Sequence, residues 1–258
     1  MFGQKRQTAW FFDSSIHLEA VSRLLYLIDI GEPFGVVCGF DGSGRTRTLG
    51  RLREEIERLG KRAVTLNVAG VDEDVALSDL ATSICSSARR SMPRHQLISH
   101  LRDEFAGRAH CGVQTVILID DLHRAQSDLE SFLRVLTSLS TANSNSKGRG
   151  TLTVIVASDR SLTKGLSLES LLQIRLSPMD FAESSDFVRS LVRRNGISAA
   201  TMDEGAVRAI HDLSHGNTAR MARVCELLAV LHEASPETPL TADTISSVLK
   251  ELTPRAVA

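Results

Sequence analysis

Predicted β-strands and α-helices alternate along the first two thirds of the chain, and this order constrains the fold more than any other feature. Short runs of apolar and β-branched residues predict strands over residues 34–38, 62–68, 113–120, 152–157 and 173–176. Apolar residues at helical spacing predict helices over 13–30, 46–59, 75–88, 96–106 and 128–139. This alternation is typical of an α/β fold, a parallel sheet flanked by helices.

The pattern changes after residue 177, because no strand pattern follows. Helical spacing predicts four helices, over residues 181–194, 203–213, 219–232 and 241–251. The sequence therefore predicts an α/β core over residues 1–177, which includes the N-terminal helix at 13–30. An all-helical domain is predicted over residues 178–258.

Charge and apolar runs exclude several classes of function. The 30 basic and 31 acidic residues leave a net charge of −1, which does not indicate a chain-wide electropositive nucleic-acid binder. The apolar runs are far shorter than the roughly 20 residues that span a bilayer, and no signal peptide pattern precedes Asp13. The four cysteines lie far apart without zinc-site spacing, which indicates reduced thiols. We expect a cytoplasmic protein without a membrane span.

A glycine-rich loop lies between the first predicted strand and the helix after it. Residues 39–46 (GFDGSGRT) fit the pattern G-x-x-x-x-G-K-[ST], except that Arg45 replaces the lysine. Glycines let backbone N–H groups surround phosphate oxygens, and the helix N-terminus adds partial positive charge. An ordinary strand–helix turn is the alternative. The candidate nucleotide-binding residues are Gly39, Phe40, Asp41, Gly42, Ser43, Gly44, Arg45, Thr46 and Arg47.

Two acids end the third predicted strand. In residues 116–121 (VILIDD), four apolar residues precede Asp120 and Asp121, which is the Walker B pattern. Asp120 would hold Mg²⁺ together with the Thr46 hydroxyl, and Asp121 would polarise the attacking water. A buried strand that ends in surface acids is the alternative, but the glycine loop earlier in the chain favours a nucleotide site.

Two more polar residues are candidates for contact with the phosphates. Ser158 follows the fourth predicted strand and could hydrogen-bond the γ-phosphate or the water, although a plain loop hydroxyl fits equally well. Arg220 opens a helix in the C-terminal region and could reach the phosphates as a second sensor. A solvated arginine at a helix start is the alternative.

The order of these features resembles an AAA+ P-loop ATPase, and more narrowly the general-secretion-pathway protein A type and the related transposition-regulator ATPases. The resemblance runs from about Asp13 to Glu233. It rests on HLEAVSRLLY, GFDGSGRT, ILIDDLHRA, IRLSPMDFAESSDFVRSLVRRNG and AVRAIHDLSHGNTARMARVCELL. It implies ATP and Mg²⁺ binding between the core and a helical lid. It also implies assembly with itself or a partner protein, in which a neighbouring subunit supplies an arginine. Arg134, Arg149 and Arg160 are candidates for that arginine.

Three positions depart from the family pattern. Arg45 replaces the loop lysine, and its planar guanidinium is larger than an ammonium. Asp121 replaces the usual glutamate, which withdraws the carboxylate by about one ångström or more. Thr218 and Ala219 stand where the family has Pro-Arg, so Arg220 is displaced by about 100° around the helix.

Three functions are consistent with these residues. The first is an ATPase, slowed by the substitutions at Arg45 and Asp121, that controls assembly. The second is a nucleotide-binding scaffold without catalysis. The third is a DNA-associated ATPase, suggested by seven basic and three acidic residues within 45–62. Those basic side chains could instead pair with Glu54, Glu55 and Glu57 at helical spacing. Nucleic acid is thus a conceivable partner that the sequence does not indicate.

Overall fold

The structure is a computed structural model that describes residues 10–126, 129–142, 151–159, 172–198, 201–236 and 239–252. It divides into two compact units. The first holds His17–Phe40 and Arg45–Leu176, with the segment that ends at Phe11. The second holds Phe12–Ile16, Asp41–Gly44 and the chain from Ser177 onward.

A five-stranded parallel sheet forms the centre of the first unit, and this confirms the predicted α/β fold. Its strands are β1 (Phe34–Gly39), β2 (Arg62–Asn67), β3 (Thr115–Asp120), β4 (Leu152–Ser158) and β5 (Leu172–Leu176). The spatial order is β2-β3-β4-β1-β5. Every residue of β1, β3 and β4 is buried because these strands are covered on both faces and on both sides. Strand β2 lies at an edge, and its exposed and buried residues alternate.

Helices of the first unit are α1 (Ser15–Ile30, which belongs to this unit from His17 onward), α2 (Arg45–Arg58), α3 (Glu73–Ile84), α4 (Arg94–His110) and α5 (Glu130–Ala142). A short 3-10 turn, Leu122–Arg124, follows β3. Leu80, Leu101, Phe105 and Phe132 from α3, α4 and α5 are fully buried in one core with side chains of the sheet. This burial of apolar area is what holds the helices on the sheet.

Several predicted boundaries were wrong by a few residues. Helix α3 begins at Glu73 rather than at 75, because the Asp72 side chain caps it by accepting from the Val75 N–H at 2.9 Å. It ends at Ile84 rather than at 88, because Cys85 is extended. Strand β3 begins at Thr115 rather than at 113, and α4 extends beyond both predicted ends.

The second unit contains helices α6 (Phe181–Arg194), α7 (Glu204–Ser214), α8 (Thr218–Ala234) and α9 (Ala242–Leu252). The side chains of Asp180, Asp203 and Asn217 cap the first three of these helices. Their core includes Val188, Ile210, Met221, Cys225, Leu228 and Ile245, all inaccessible to solvent. Phe12 packs edge-to-face on Phe187, with ring centroids 5.2 Å apart. Among the helices in the described ranges, none is long and apolar enough to cross a bilayer.

Candidate functional site

The sheet brings the candidate strand-end residues of the first unit to one edge. In parallel strands the register pairs Cys38 with Ser158 and Asn67 with Asp120. Gly39, Asp120 and Ser158 are therefore the last residues of three neighbouring strands, β1, β3 and β4. The carboxyl edge of an open parallel sheet is where such folds bind ligands.

Glycines define the shape of the loop between β1 and α2. Gly42 has φ of +80° and Gly44 has φ of +91°, a left-handed backbone region that other residues rarely adopt. A Cβ atom added at Gly42 would lie 2.6 Å from Asn217 Oδ1 and 2.8 Å from Ala219 Cβ. Both conformation and space therefore require glycine at position 42, so the loop can present backbone N–H groups close to a ligand.

Residues at the start of α8 hold the carbonyl groups of this loop, within the second unit. Asn217 Nδ2 donates to the Asp41 carbonyl at 2.8 Å, and Thr218 Oγ1 donates to the Gly42 carbonyl at 2.6 Å. The Ala219 N–H donates to the same Gly42 carbonyl at 3.2 Å. We call these three residues the loop clasp. Thr218 and Ala219, which depart from the family pattern, thus have a defined contact that sequence reasoning missed.

Arg45 is buried, with 7% of its surface exposed, and its guanidinium lies against the start of the loop. Nη1 donates to the Gly39 carbonyl and, at 3.4 Å, to the Phe40 carbonyl. Nη2 lies 3.3 Å from Nε2 of His123. The next two residues, Thr46 and Arg47, are exposed on the first turn of α2, and Arg47 donates to the Trp10 carbonyl at 3.4 Å.

The two acids occupy different environments. Asp120 ends β3 and is buried, and its Oδ1 accepts from the Asp121 N–H at 2.9 Å. Asp121 has a left-handed backbone, with φ of 57°, which is uncommon outside glycine and marks functional sites and tight turns. Its Oδ2 accepts from Asn67 Nδ2 at 3.1 Å. Sequence reasoning missed Asn67, for which the only signal was a polar residue one position before the end of the strand predicted over 62–68.

The remaining candidates are distributed as follows. Ser158 is buried at the end of β4, one residue before Asp159. Arg220 is exposed in the first turn of α8, and its backbone N–H donates to Asn217 Oδ1 at 3.1 Å. Arg134 is exposed on α5 and pairs with Glu130. Arg149 and Arg160 lie outside the described residues.

The donor set suits Mg²⁺ bound together with a nucleotide. A hydroxyl and a carboxylate, those of Thr46 and Asp120, are the hard oxygen ligands that this ion prefers. Within the described part of the chain, no group of three or more His, Cys, Asp or Glu side chains is placed to form a metal cage. Mg²⁺ commonly takes one or two protein ligands and completes its shell with phosphate oxygens and water, so this composition fits.

These features define a P-loop nucleotide-binding protein: a parallel sheet, a glycine loop after β1 and acids after β3. The AAA domain family profile matches residues 29–166, more than half of the chain, and the chain belongs to this family. No significant match is found among curated protein sequences.

Solved structures share the fold at low sequence identity. RuvB from Thermotoga maritima, described as a Holliday junction branch migration motor, aligns at 15% identity with a TM-score of 0.61, covering 92% of this chain and 68% of that one. For Cdc6p from Pyrobaculum aerophilum the identity is 15% and the TM-score 0.64, covering 90% and 66%. ORC2 from Aeropyrum pernix, solved with ADPNP and ADP, aligns at 12% identity with a TM-score of 0.65. The alignment covers 94% of this chain and 68% of ORC2. These similarities establish the fold.

Proposed function

We propose that this AAA protein binds ATP with Mg²⁺ and hydrolyses it slowly, and that the nucleotide state controls assembly with itself or with a partner protein. The observation that carries the proposal is the meeting of the end of β1, the β3 acids and Ser158 at one edge of the sheet. We propose further that the protein is of the general-secretion-pathway protein A type and acts in the cytoplasm.

Each residue has a role that follows from its chemistry. The loop N–H groups and the Arg45 guanidinium bind phosphate oxygens, and Ser158 hydrogen-bonds the γ-phosphate. Thr46 and Asp120 would hold Mg²⁺, which would supply positive charge to offset that of the phosphates. Asp121 accepts a proton from, and orients, the attacking water. Asn67 keeps the Asp121 carboxylate in one orientation by donating to Oδ2.

Slow hydrolysis is expected from the same geometry. Asp121 is one methylene shorter than the usual glutamate, and one of its oxygens already accepts from Asn67. A misplacement of about 1 Å can cost about 100-fold in rate. Arg45 must also share the donors of its guanidinium between the loop carbonyls and phosphate.

Residues 178–258 are proposed to act as the lid domain, with Arg220 as a phosphate sensor. We also propose that a neighbouring subunit supplies an arginine. Arg134 is exposed and so accessible to a neighbour, whereas nothing distinguishes Arg149 from Arg160. This arrangement makes turnover per molecule rise with protein concentration, because the arginine is supplied in trans.

The test is Mg²⁺-dependent ATP turnover measured across a range of protein concentrations. Asp121→Asn should lower turnover about 100-fold and leave the ATP dissociation constant nearly unchanged, since a general base contributes to the chemical step. Asp29→Asn is the matched control, because Asp29 is an exposed acid on α1. Parent turnover equal to that of Asp121→Asn at every concentration would exclude hydrolysis at this site.

A nucleotide-binding scaffold without catalysis is the second candidate. The contacts that favour it are those of Arg45, whose guanidinium is bound by the loop carbonyls and by His123. Under this candidate, calorimetry shows ATP binding while turnover stays at background, and Arg45→Lys gains turnover.

The DNA-associated ATPase is the third candidate, and RuvB, a branch migration motor, has the same fold. Four of the seven basic residues that suggested it form ion pairs. Arg51, Arg53 and Arg58 pair with Glu54, Glu55 and Glu57 on α2, and Lys61 pairs with Asp29. Pairing lowers the net attraction to phosphates. A salt-sensitive affinity for DNA in the presence of ATP would restore this candidate.

A further inference from the structure

His123 connects the phosphate loop to the ends of two strands. It lies in the 3-10 turn that follows the β3 acids, and 9% of its side chain is exposed. Its Nε2 lies 3.3 Å from Nη2 of Arg45, and its Nδ1 lies 4.0 Å from Oδ1 of Asp159, the residue after β4. The imidazole therefore stands between a cation of the loop and an acid at the neighbouring strand end.

The chemistry of the two partners fixes the roles of the imidazole nitrogens. A guanidinium has N–H donors and no acceptor, so Nε2 must accept the hydrogen bond from Arg45. In the neutral ring, Nδ1 then carries the proton and faces the Asp159 carboxylate. Among the described residues Nδ1 has no hydrogen-bond partner, and 4.0 Å is beyond hydrogen-bond distance. Asp159 favours this tautomer by electrostatic attraction.

Residues at two places in the described part of the chain contact the Arg45 guanidinium. Nη1 donates to the carbonyls of Gly39 and Phe40 at the end of β1, and Nη2 donates to His123 beyond the end of β3. Contacts at the end of β1 and in the turn after β3 fix the plane of the guanidinium as well as its position. A planar, forked donor requires such orientation to meet a phosphate, whereas a lysine ammonium acts as a point charge.

We propose that His123 is a positioning residue that orients Arg45 for phosphate binding. This inference rests on the proposed function, because it concerns the same site. It assigns to the second residue after the acids a task created by the arginine at position 45. Asp159 supports the task by stabilising the tautomer in which Nε2 accepts.

The contact itself can be tested without nucleotide. Long-range ¹H–¹⁵N spectra of the imidazole rings report the tautomer, and the missing signal in His123→Gln identifies His123 among the eight histidines. We expect the Nδ1–H tautomer, with an Nε2 shift that changes in Arg45→Lys. The Nε2–H tautomer, or an Nε2 shift indifferent to Arg45→Lys, would overturn the proposal.

The positioning role is tested by the dissociation constant of a fluorescent ATP analogue with Mg²⁺. His123→Ala should weaken binding about tenfold, because it removes a hydrogen bond to a charged group. His123→Gln keeps an amide oxygen that can accept from Arg45, so the loss should be less than about threefold. His123→Ala in an Arg45→Lys background should also cost less than about threefold.

His95→Ala is the matched control, since His95 is exposed on α4, and it should leave the dissociation constant unchanged. Equal losses in His123→Ala and His123→Gln, or equal losses in the parent and Arg45→Lys backgrounds, would refute the positioning role alone. A parent protein that binds no nucleotide would refute the proposed function, and the tautomer would then still report on the contact between His123 and Arg45.

Discussion

Gly42→Ala should be much more destabilising than an alanine at another left-handed glycine. The left-handed conformation at φ of +80° costs an alanine about 1–2 kcal/mol. The new methyl group would also lie 2.6 Å from Asn217 Oδ1 and 2.8 Å from Ala219 Cβ. Such overpacking costs about 1–3 kcal/mol, so the sum is about 2–5 kcal/mol of unfolding free energy.

Gly196→Ala provides the matched control within the same unit. Gly196 has φ of +83°, and a Cβ atom added there meets nothing within 4 Å. It should lose only the conformational part, about 1–2 kcal/mol. The gain from a less flexible unfolded chain is the same for both alanines and cancels in the comparison.

Urea unfolding followed by far-ultraviolet circular dichroism measures both variants against the parent. The difference between them should be about 1–3 kcal/mol at an unchanged m-value, and it reports the clash with the loop clasp. If both variants lost the same unfolding free energy, α8 would accommodate the new methyl group without a loss of stability. The predicted clash with the loop clasp would then be refuted.

The site and the core supply two further predictions. Asn67→Ala should lower ATP turnover several-fold and change the ATP dissociation constant less than about twofold, because Asn67 orients Asp121 and not the phosphates. Steady-state kinetics measures the turnover, and fluorescence titration measures the dissociation constant. Weaker ATP binding with unchanged turnover would contradict this prediction. Burial raises the pKa of the Cys225 thiol from 9.0 to about 12, so the native state keeps a proton that the unfolded state loses above pH 9. Stability should therefore fall between pH 9 and 12, by up to about 1.4 kcal/mol per pH unit, and urea midpoints at pH 8 and pH 10.5 should differ less in Cys225→Ala. The same pH dependence in parent and variant would contradict it.

The sequence predicts the parallel sheet because its central strands are buried on both faces and appear as unbroken apolar runs. Helix α6 is predicted at its observed bounds because the Asp180 cap and the apolar spacing agree. Helix α3 begins two residues before its predicted start because Asp72 caps it, and it ends four residues before its predicted end because the backbone of Cys85 is extended. The spatial order of the strands cannot be predicted from periodicity, since an apolar run does not specify its neighbours.

The candidate site is predicted in part for a similar reason. Glycine spacing and the two acids are local patterns, so Gly39 to Thr46, Asp120 and Asp121 could be selected from the sequence. Asn67 and His123 are single polar residues, and only the strand register and the side-chain contacts associate them with the acids and with Arg45. The roles proposed for the selected residues stay predictions until ATP binding is measured.

The loop clasp has a consequence for the order in which the protein folds during synthesis. Asn217 and Thr218 bond to carbonyl groups that precede them by 176 residues. On the ribosome, β1 and α2 emerge long before α8. The loop carbonyls therefore gain these hydrogen-bond donors only after the start of α8 has been synthesised. A nascent or truncated chain that ends at residue 177 therefore lacks the contacts that fix the loop. We therefore expect the protein to bind nucleotide only after α8 has been synthesised and has formed its contacts with the loop.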